Sequence, residues 1–589
     1  MRLAIRLLAG LAAALALLPA AAAEAPLAEL SIEELLNIEV TSVSKKPQRL
    51  SESASAVFVI TQEDIRRSGA TSVPELLRMV PGANVSRINA NSWAVSIRGF
   101  NNQFANKLLV LQDGRALYTP LFAGVIWEVQ NPMLEDVERI EVIRGPGAAV
   151  WGANAVNGVI NIITKHSGDT QGGLAVAGAG TEERAFGAYR QGIALGEDRY
   201  LRLYAKAAET DASPRLGGGA GADDGRGLRA GFRSDQAIEA GSLTVLGDVY
   251  RVGAGDTFSV TSLAPPYGAV LREDKAFAGA HLLGRWQRTL AGGDTVSLQG
   301  YLDHTRMESP QILEETRNTL DLELQHRLRL GTSQDMIWGL GYRHSRDSIT
   351  GGETYQFNPT SARTDLISAF LQDEIGLVPE RWRLILGARA EHDERTGFQL
   401  QPNARLLWTP ETGHSLWAAV SRAVRTPSRT ERDARVNFLV LPPVPPSLPA
   451  TQFSMLGNRD LQAEKLLALD LGYRGQLGPR LGLELAAFRY RYEDVIRRTH
   501  GTPVVEGAHV LVPFVWQNID KGETWGGEAA LDWRLSDTAR AALAYSYLDA
   551  DFFIGDQPKH SASLRSPSTS RRARSWISGS SAPAPSRRA

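Results

Sequence analysis

The side chains that carry most enzyme chemistry are scarce in this sequence. The 589 residues include no cysteine and ten histidines, and no His-x-x-His or His-x-x-x-His pair occurs. A thiol nucleophile, an Fe–S cluster, a Cys zinc site and direct chelation of a bare metal by paired histidines therefore have no motif. No Gly-x-Ser-x-Gly elbow or His-Glu-x-x-His is present, so the chain reads as a non-enzyme. The glycines Gly145, Gly152 and Gly158 lack both a following Gly-Lys-Ser/Thr and the G-x-G-x-x-G spacing of a phosphate loop. No cofactor motif remains. What remains is recognition chemistry. Asn89, Asn91, Trp93, Asn101, Asn102, Gln103 and Phe104, followed by Tyr118, Phe122 and Trp127, set amides beside aromatic rings. That mixture suits a polar, ringed ligand, and for each residue singly, packing is the competing use.

The elements that position these residues follow from composition. Formal net charge is −1, from 64 Lys plus Arg against 65 Asp plus Glu, which argues against a nucleic-acid binder. The balance hides three segments. Residues 1–23 have a basic start, an apolar run from Leu7 to Leu18 and Ala21-x-Ala23, the pattern of a secretory signal. Residues 561–589 carry six Arg and no acid, and the body between is distinctly acidic. Beyond the leader, no apolar run reaches the roughly 18 residues a membrane helix needs.

Residues 24–50 form an N-terminal segment and 51–170 a mixed α/β domain. Ser31 and Glu34 read as a capping box. Ile38, Glu39, Val40, Thr41, Ser42 and Val43 read as an extended strand. Val57–Ile60 is a strand, Thr61 and Asp64 cap a helix ending at Gly69, and Ser72 with Glu75 predicts a second capping box. From about 171 to 560 the pattern changes to segments of about ten residues with period-2 alternation, some seventeen or eighteen in all. Leu320, Leu322, Leu324, Leu328 and Leu330 alternate with Asp321, Glu323, Gln325, Arg327 and Arg329. One lipid-facing apolar face and one charged, wet face predict a transmembrane antiparallel β-barrel. Tyr250, Trp286, Trp408, Tyr473, Trp533 and Tyr547 are expected in interfacial girdles. Long loops are expected at 210–230, 253–274, 305–317, 345–364 and 426–460.

Residues 38–165 resemble the plug of TonB-dependent outer-membrane receptors. The resemblance rests on TQEDIRR (61–67), VPELLRMVPG (73–82), VSIRGF (95–100), VLQDGRAL (110–117), VERIEVIRGP (137–146) and WGANAVNGVINIIT (151–164). RAVRTPS (422–428) and GNRDLQAE (457–464) are similar to recurring barrel motifs of the family. The resemblance implies an α/β plug inside a barrel of about 22 strands, outer-membrane location, a monomer in lipid, and energised uptake of a metal chelate. A ferric siderophore is the first expectation, with cobalamin, haem or a glycan as alternatives. It implies that Ile38–Val43 is the box recognised by TonB through strand addition. It also implies that Arg98, Gly99, Asp113, Gly114, Glu138, Arg139, Glu141, Arg144, Gly145, Gly152 and Gly158 form the plug signature, its charges meeting partners on the barrel's inner wall. Ligand is expected between the long loops and Asn89, Asn91, Trp93, Asn102, Phe104, Tyr118, Phe122 and Trp127. The Ser/Arg-rich stretch 561–589 departs from the family pattern and reads as a disordered tail, the product of a truncated or frameshifted frame.

Overall fold

The computed structural model describes residues 37–566, leaving out 216, 447, 537, 538 and 556. The expected signal, the Ser31–Glu34 capping box and residues 567–589 of the tail lie outside the described residues. The N-terminal domain is built on a five-stranded sheet. Its order is Val57–Thr61, Val137–Arg144, Gly158–Thr164, Leu108–Gln112, Arg115–Ala116, and only the pairing of 158–164 with 108–112 is parallel. Its apolar faces close over Ile60, Leu76, Val110, Ile140, Val142 and Ile160. The helix Gln62–Ser68 starts as expected, with Thr61 and Asp64 satisfying each other's backbone N–H and Gly69 closing it in the left-handed region. The next helix, Val73–Leu77, differs. Ser72 makes no side-chain cap, and the Glu75 carboxylate accepts instead from the Thr71 N–H.

Around this domain runs one sheet of 22 strands. Four of them, Tyr355–Phe357, Ala434–Leu441, Ala450–Leu456 and Val504–Glu506, are short and sit in the loops, because the long strands flanking them pair directly. Eighteen strands therefore form the wall, within the seventeen or eighteen that alternation predicts. The last of them, His560–Arg565, carries the sheet beyond residue 560. Among the described residues no pairing joins it to the first, Gly172–Gly178. Wall side chains reach the plug from Arg190 on the second strand to Arg565 on the last. The outward set is apolar and exposed, as at Leu302, Leu322, Ile367, Leu371 and Leu471. The inward set, including Asp321 and Glu323, faces the lumen and plug.

Two expectations about the wall change. Three of the five expected loops are largely strand: Gly241–Thr261 and Gly268–Thr289 leave only 262–267 between them, and 305–317 and 345–364 are similarly paired. Above the bilayer the outer face no longer has to be apolar, so pairing continues where alternation stops. Tyr250 is not in a girdle. It points inward, with the Arg229 guanidinium 4.9 Å from its ring centre. Trp408 does lie at a strand end on the outer face, stacked on Trp382 at 5.4 Å, and Trp533 is likewise exposed near its strand end.

Candidate functional site

The plug is fastened to the strands Glu464–Gln476, Leu481–His500 and His509–Ser536 by buried charge. Arg98 donates to both carboxylate oxygens of Glu528 at 2.8 and 3.0 Å, to Asp470 at 2.7 Å, and to the Tyr490 hydroxyl. Arg144 donates to the same Glu528 at 2.9 Å and to Glu484. The side chains of Arg98, Arg144 and Glu528 are each 1 % exposed. A few residues away, Lys107 pairs with Glu464, which also accepts from Arg425 at 2.7 Å. Burial pushes the Lys107 ammonium down to about 8, partly opposed by Glu464. The neighbouring wall is fastened too: Arg190 and Arg202 reach Asp136 at 2.6 and 3.3 Å.

Of the other plug charges, Glu138, Arg139 and Glu141 do not meet the wall as expected. Their ion pairs are with one another. Glu141 has a different task. Its carboxylate accepts from the backbone N–H groups of Thr41 and Ser42, at 2.9 and 2.8 Å. The Trp151 indole N–H donates to the Ser42 carbonyl at 2.6 Å. Asn161 donates to the Ser42 hydroxyl, and Val40 and Val43 are buried against Val57, Leu109 and Val159. The segment Ile38–Val43 is therefore not one extended strand. Only Glu39–Val40 is paired, to Gln48–Arg49, and the chain then turns, with Lys45 at φ 55° donating back to the Thr41 carbonyl. Specific acceptors for its amides inside the plug outweigh its β-branched propensity. Lys45 and Lys46 extend from this turn to the wall, pairing with Glu323, and with Asp335 and Glu374, at 2.6–2.8 Å.

Beside these lysines opens a cavity of about 670 Å³ between the plug and the strands from Gly268 to Asp393. The plug contributes the stretch Asp113–Pro120, and the wall contributes Gln299, Tyr301, Asp321 and Arg343 among others. A few polar bridges cross it: Arg115 to Asp303 at 2.6 Å, and Arg285 to the Asp113 carbonyl at 2.5 Å. Asp113 anchors the loop by accepting from the N–H and hydroxyl of Thr164. Gly114 has φ +88°, and a Cβ there would crowd the Gln299 amide. Gly152, also at positive φ, lets the plug backbone reach the wall, where the Ala153 N–H donates to Glu391 at 2.8 Å.

The expected ligand residues take structural places, with one exception. Asn89 accepts from the N–H groups of Asn91 and Ser92, and Asn91 donates to the carbonyls of Asp223 and Asp224 in the loop 211–224. Trp93 is buried between Arg78 and Arg87, and Trp127 is buried in the plug core. Asn102 accepts from the Phe104 N–H, and Phe104 stacks on Phe122 at 4.5 Å. Only Tyr118 lines the cavity, its hydroxyl buried and without a hydrogen-bond partner among the described residues. Each plug tip is bonded to a long loop instead: Asn91 as above, Phe100 to Ile554, and Pro120 and Leu121 to the helix Arg429–Asp433. Lys45, Lys46 and Lys107 escaped the sequence reading, and Arg115 and Trp151 entered it only inside family motifs, without a role of their own. The Lys45-Lys46 doublet after a β-branched run was the one local signal available.

A family model for the TonB-dependent receptor plug domain matches residues 49–159, and one for the TonB-dependent receptor-like β-barrel matches 170–579. The chain is 26 % identical over 550 residues to the iron-regulated outer membrane virulence protein of Vibrio cholerae, covering 87 % of this chain and 78 % of the relative. It is 30 % identical over 240 residues to the vitamin B12 transporter of the same species, covering 40 % and 36 %. The crystal structure of the ferric enterobactin receptor of Pseudomonas aeruginosa superposes with a TM-score of 0.70 at 21 % identity, covering 87 % of this chain and 84 % of that one. A plug fastened within an eighteen-strand wall, together with these matches, places the chain in the family of TonB-dependent outer-membrane receptors.

Proposed function

We propose that the chain imports a ferric siderophore across the outer membrane, with Ile38–Val43 as the segment that TonB pulls. The carrying observation is the placement of that segment. It lies at the short-turn end of the barrel, held by Glu141 and Trp151, and its turn sends Lys45 and Lys46 to the mouth of the cavity. Traction on it strips two amide–carboxylate bonds and the three lysine ion pairs before it touches the buried Arg98–Glu528 cluster. The cavity then widens along the strands 268–393 while the opposite face stays fastened. In this reading the metal arrives inside an organic chelator. The iron-regulated relative favours a ferric chelate, and the B12 transporter match supports cobalamin as the second reading. The receptor acts as a monomer after signal-directed export.

Uptake of radiolabelled iron by an iron-starved strain, with a panel of ferric siderophores and labelled cobalamin, tests this reading. Deletion of Ile38–Val43 should abolish energised uptake and leave surface binding intact. Undiminished uptake by the deletion variant overturns the coupling role, and uptake of cobalamin alone overturns the siderophore.

A further inference from the structure

Among the described residues, every lysine and arginine that lines the cavity has a carboxylate within 4 Å, with one exception. The exception is Arg285, on the strand Gly268–Thr289. Its Nε and Nη2 donate to the Gln299 side-chain oxygen at 2.8 and 2.6 Å, and Nη2 also donates to the Asp113 carbonyl at 2.5 Å. These neutral acceptors fix the guanidinium and leave its charge in place. Asp113 offers only that carbonyl, because its carboxylate accepts from Thr164 and lies 3.7 Å from Arg233. Nη1 has no acceptor among the described residues.

The plug keeps this spot open. Gly114 lies against it, and a Cβ there would stand 3.0 Å from the Gln299 amide nitrogen and 3.3 Å from Arg285 Nη2. Arg285 is near the short-turn end of its strand. Further toward that end the same inward face presents Gln287, with Ser297 opposite it and Gln325 opposite Ser297. All three are uncharged, so Arg285 is the last unneutralised charge that the cavity offers before the short turns. A charged group that leaves water for a partly dry passage meets a desolvation cost, which a fixed opposite charge offsets. A guanidinium stays charged, is weakly hydrated and forms strong bonds to oxyanions. A neutral passenger gains nothing from it.

We infer that Arg285 is a transit subsite for a peripheral oxyanion of the chelate, and that the cargo is therefore an anionic ferric chelate, of the catecholate or carboxylate class. The inference rests on the uptake reading above and names the substrate class within it.

The test measures labelled-iron uptake in an iron-starved strain that carries this receptor as its only ferric-chelate receptor. The probes are ferric enterobactin and ferric citrate, both anionic, and ferrichrome, a neutral trihydroxamate. The unmodified protein should import an anionic probe. R285Q should lower its maximal uptake rate about tenfold, the low end of what a hydrogen bond to a charged group contributes. Surface binding to de-energised cells should keep its Kd. R285K, which retains the charge and loses the fork, should restore the rate to within about twofold. An unchanged rate in R285Q overturns the proposal. Equal losses in R285Q and R285K also overturn it, because they show that Arg285 only props the Asp113 loop. Import of ferrichrome alone overturns the substrate class. The deletion of Ile38–Val43, run alongside, separates the two readings: uptake lost in the deletion and unchanged in R285Q leaves energised import standing and removes only the subsite.

Discussion

Where the plug meets the strands 464–536, Arg98 and Arg144 converge on Glu528, Lys107 on Glu464, and Tyr492 on Asn157, with almost no exposed surface between. Where it meets the strands 268–393, the same plug faces an open cavity crossed by a few polar bridges and by the lysines of its own N-terminal turn. Both faces are charged, so charge alone does not distinguish them. What differs is burial. On the fastened face Glu528 and Glu464 each serve two cations while 1 % and 4 % exposed, and losing one group strands several others in a dry seam. On the cavity face Glu323, Asp335 and Glu374 are also shared, each between a plug lysine and a wall arginine, but they are 14–22 % exposed and border open space. Under the proposed coupling, a pulled plug yields first where its contacts border open space, so the cavity face would serve passage and the other retention.

The sharpest way to break this comparison is to remove one carboxylate from each face. Glu528→Ala leaves Arg98 and Arg144 without their common partner and should destabilise the folded protein by about 3–5 kcal/mol. Asp303→Ala, which frees only Arg115, should lose about 1.5–3 kcal/mol, the range of a hydrogen bond to a charged group. Urea unfolding in lipid vesicles measures both, and equal losses would remove the contrast.

The N-terminal turn is the next test. Glu141→Gln weakens the acceptor that holds the Thr41 and Ser42 amides and should loosen the segment by about 1.5–3 kcal/mol. Hydrogen exchange of those amides should then speed up while the Arg98 region keeps its protection. Unchanged exchange would mean that Trp151 and the buried valines suffice.

Lys107 supplies a pH test. Its folded-state value, about 8, lies below the ordinary lysine range. The unfolded chain therefore holds this proton at pH values where the native state has released it. Its contribution to stability rises with pH from about 8 to the unfolded value and is lost as pH falls through about 8. Lys107→Met should flatten that rise in unfolding curves recorded at both ends of the window. An unaltered slope would place the titration elsewhere.

Paired tyrosines make the smallest test. Tyr492→Phe removes a buried hydrogen bond to Asn157 on the fastened face, expected at about 0.5–1.5 kcal/mol. Tyr118→Phe, at the cavity wall, removes a hydroxyl that bonds nothing among the described residues. It should leave thermal stability unchanged or slightly raised.

Much of the architecture was legible along the chain. Leu320–Leu330 alternates because one face meets lipid and the other a wet lumen, so that strand and its neighbours could be counted before any pairing was known. Thr61 and Asp64 specify a helix start by bonds three residues apart. Legibility ended where a residue's partner is remote. Asn89, Asn91 and Trp93 have the composition of a ligand site and are instead consumed by a loop, a barrel carbonyl and two arginines. Ile38–Val43 has the composition of a strand and instead turns, because Glu141, about a hundred residues away, accepts its amides.

The sequence by itself determined the local and the periodic: the absence of thiol chemistry, the plug's motifs, the Thr61–Asp64 helix cap, and some seventeen or eighteen wall strands of alternating face. Each of these follows from neighbours within a few residues, or from a solvent that acts on every strand alike. Only the tertiary structure decided which face of the plug is fastened, where the cavity opens, and that Arg285 meets it with neutral acceptors alone. Those facts depend on pairs such as Arg98 and Glu528, 430 residues apart. Their meeting is fixed by barrel register, and no local pattern encodes it.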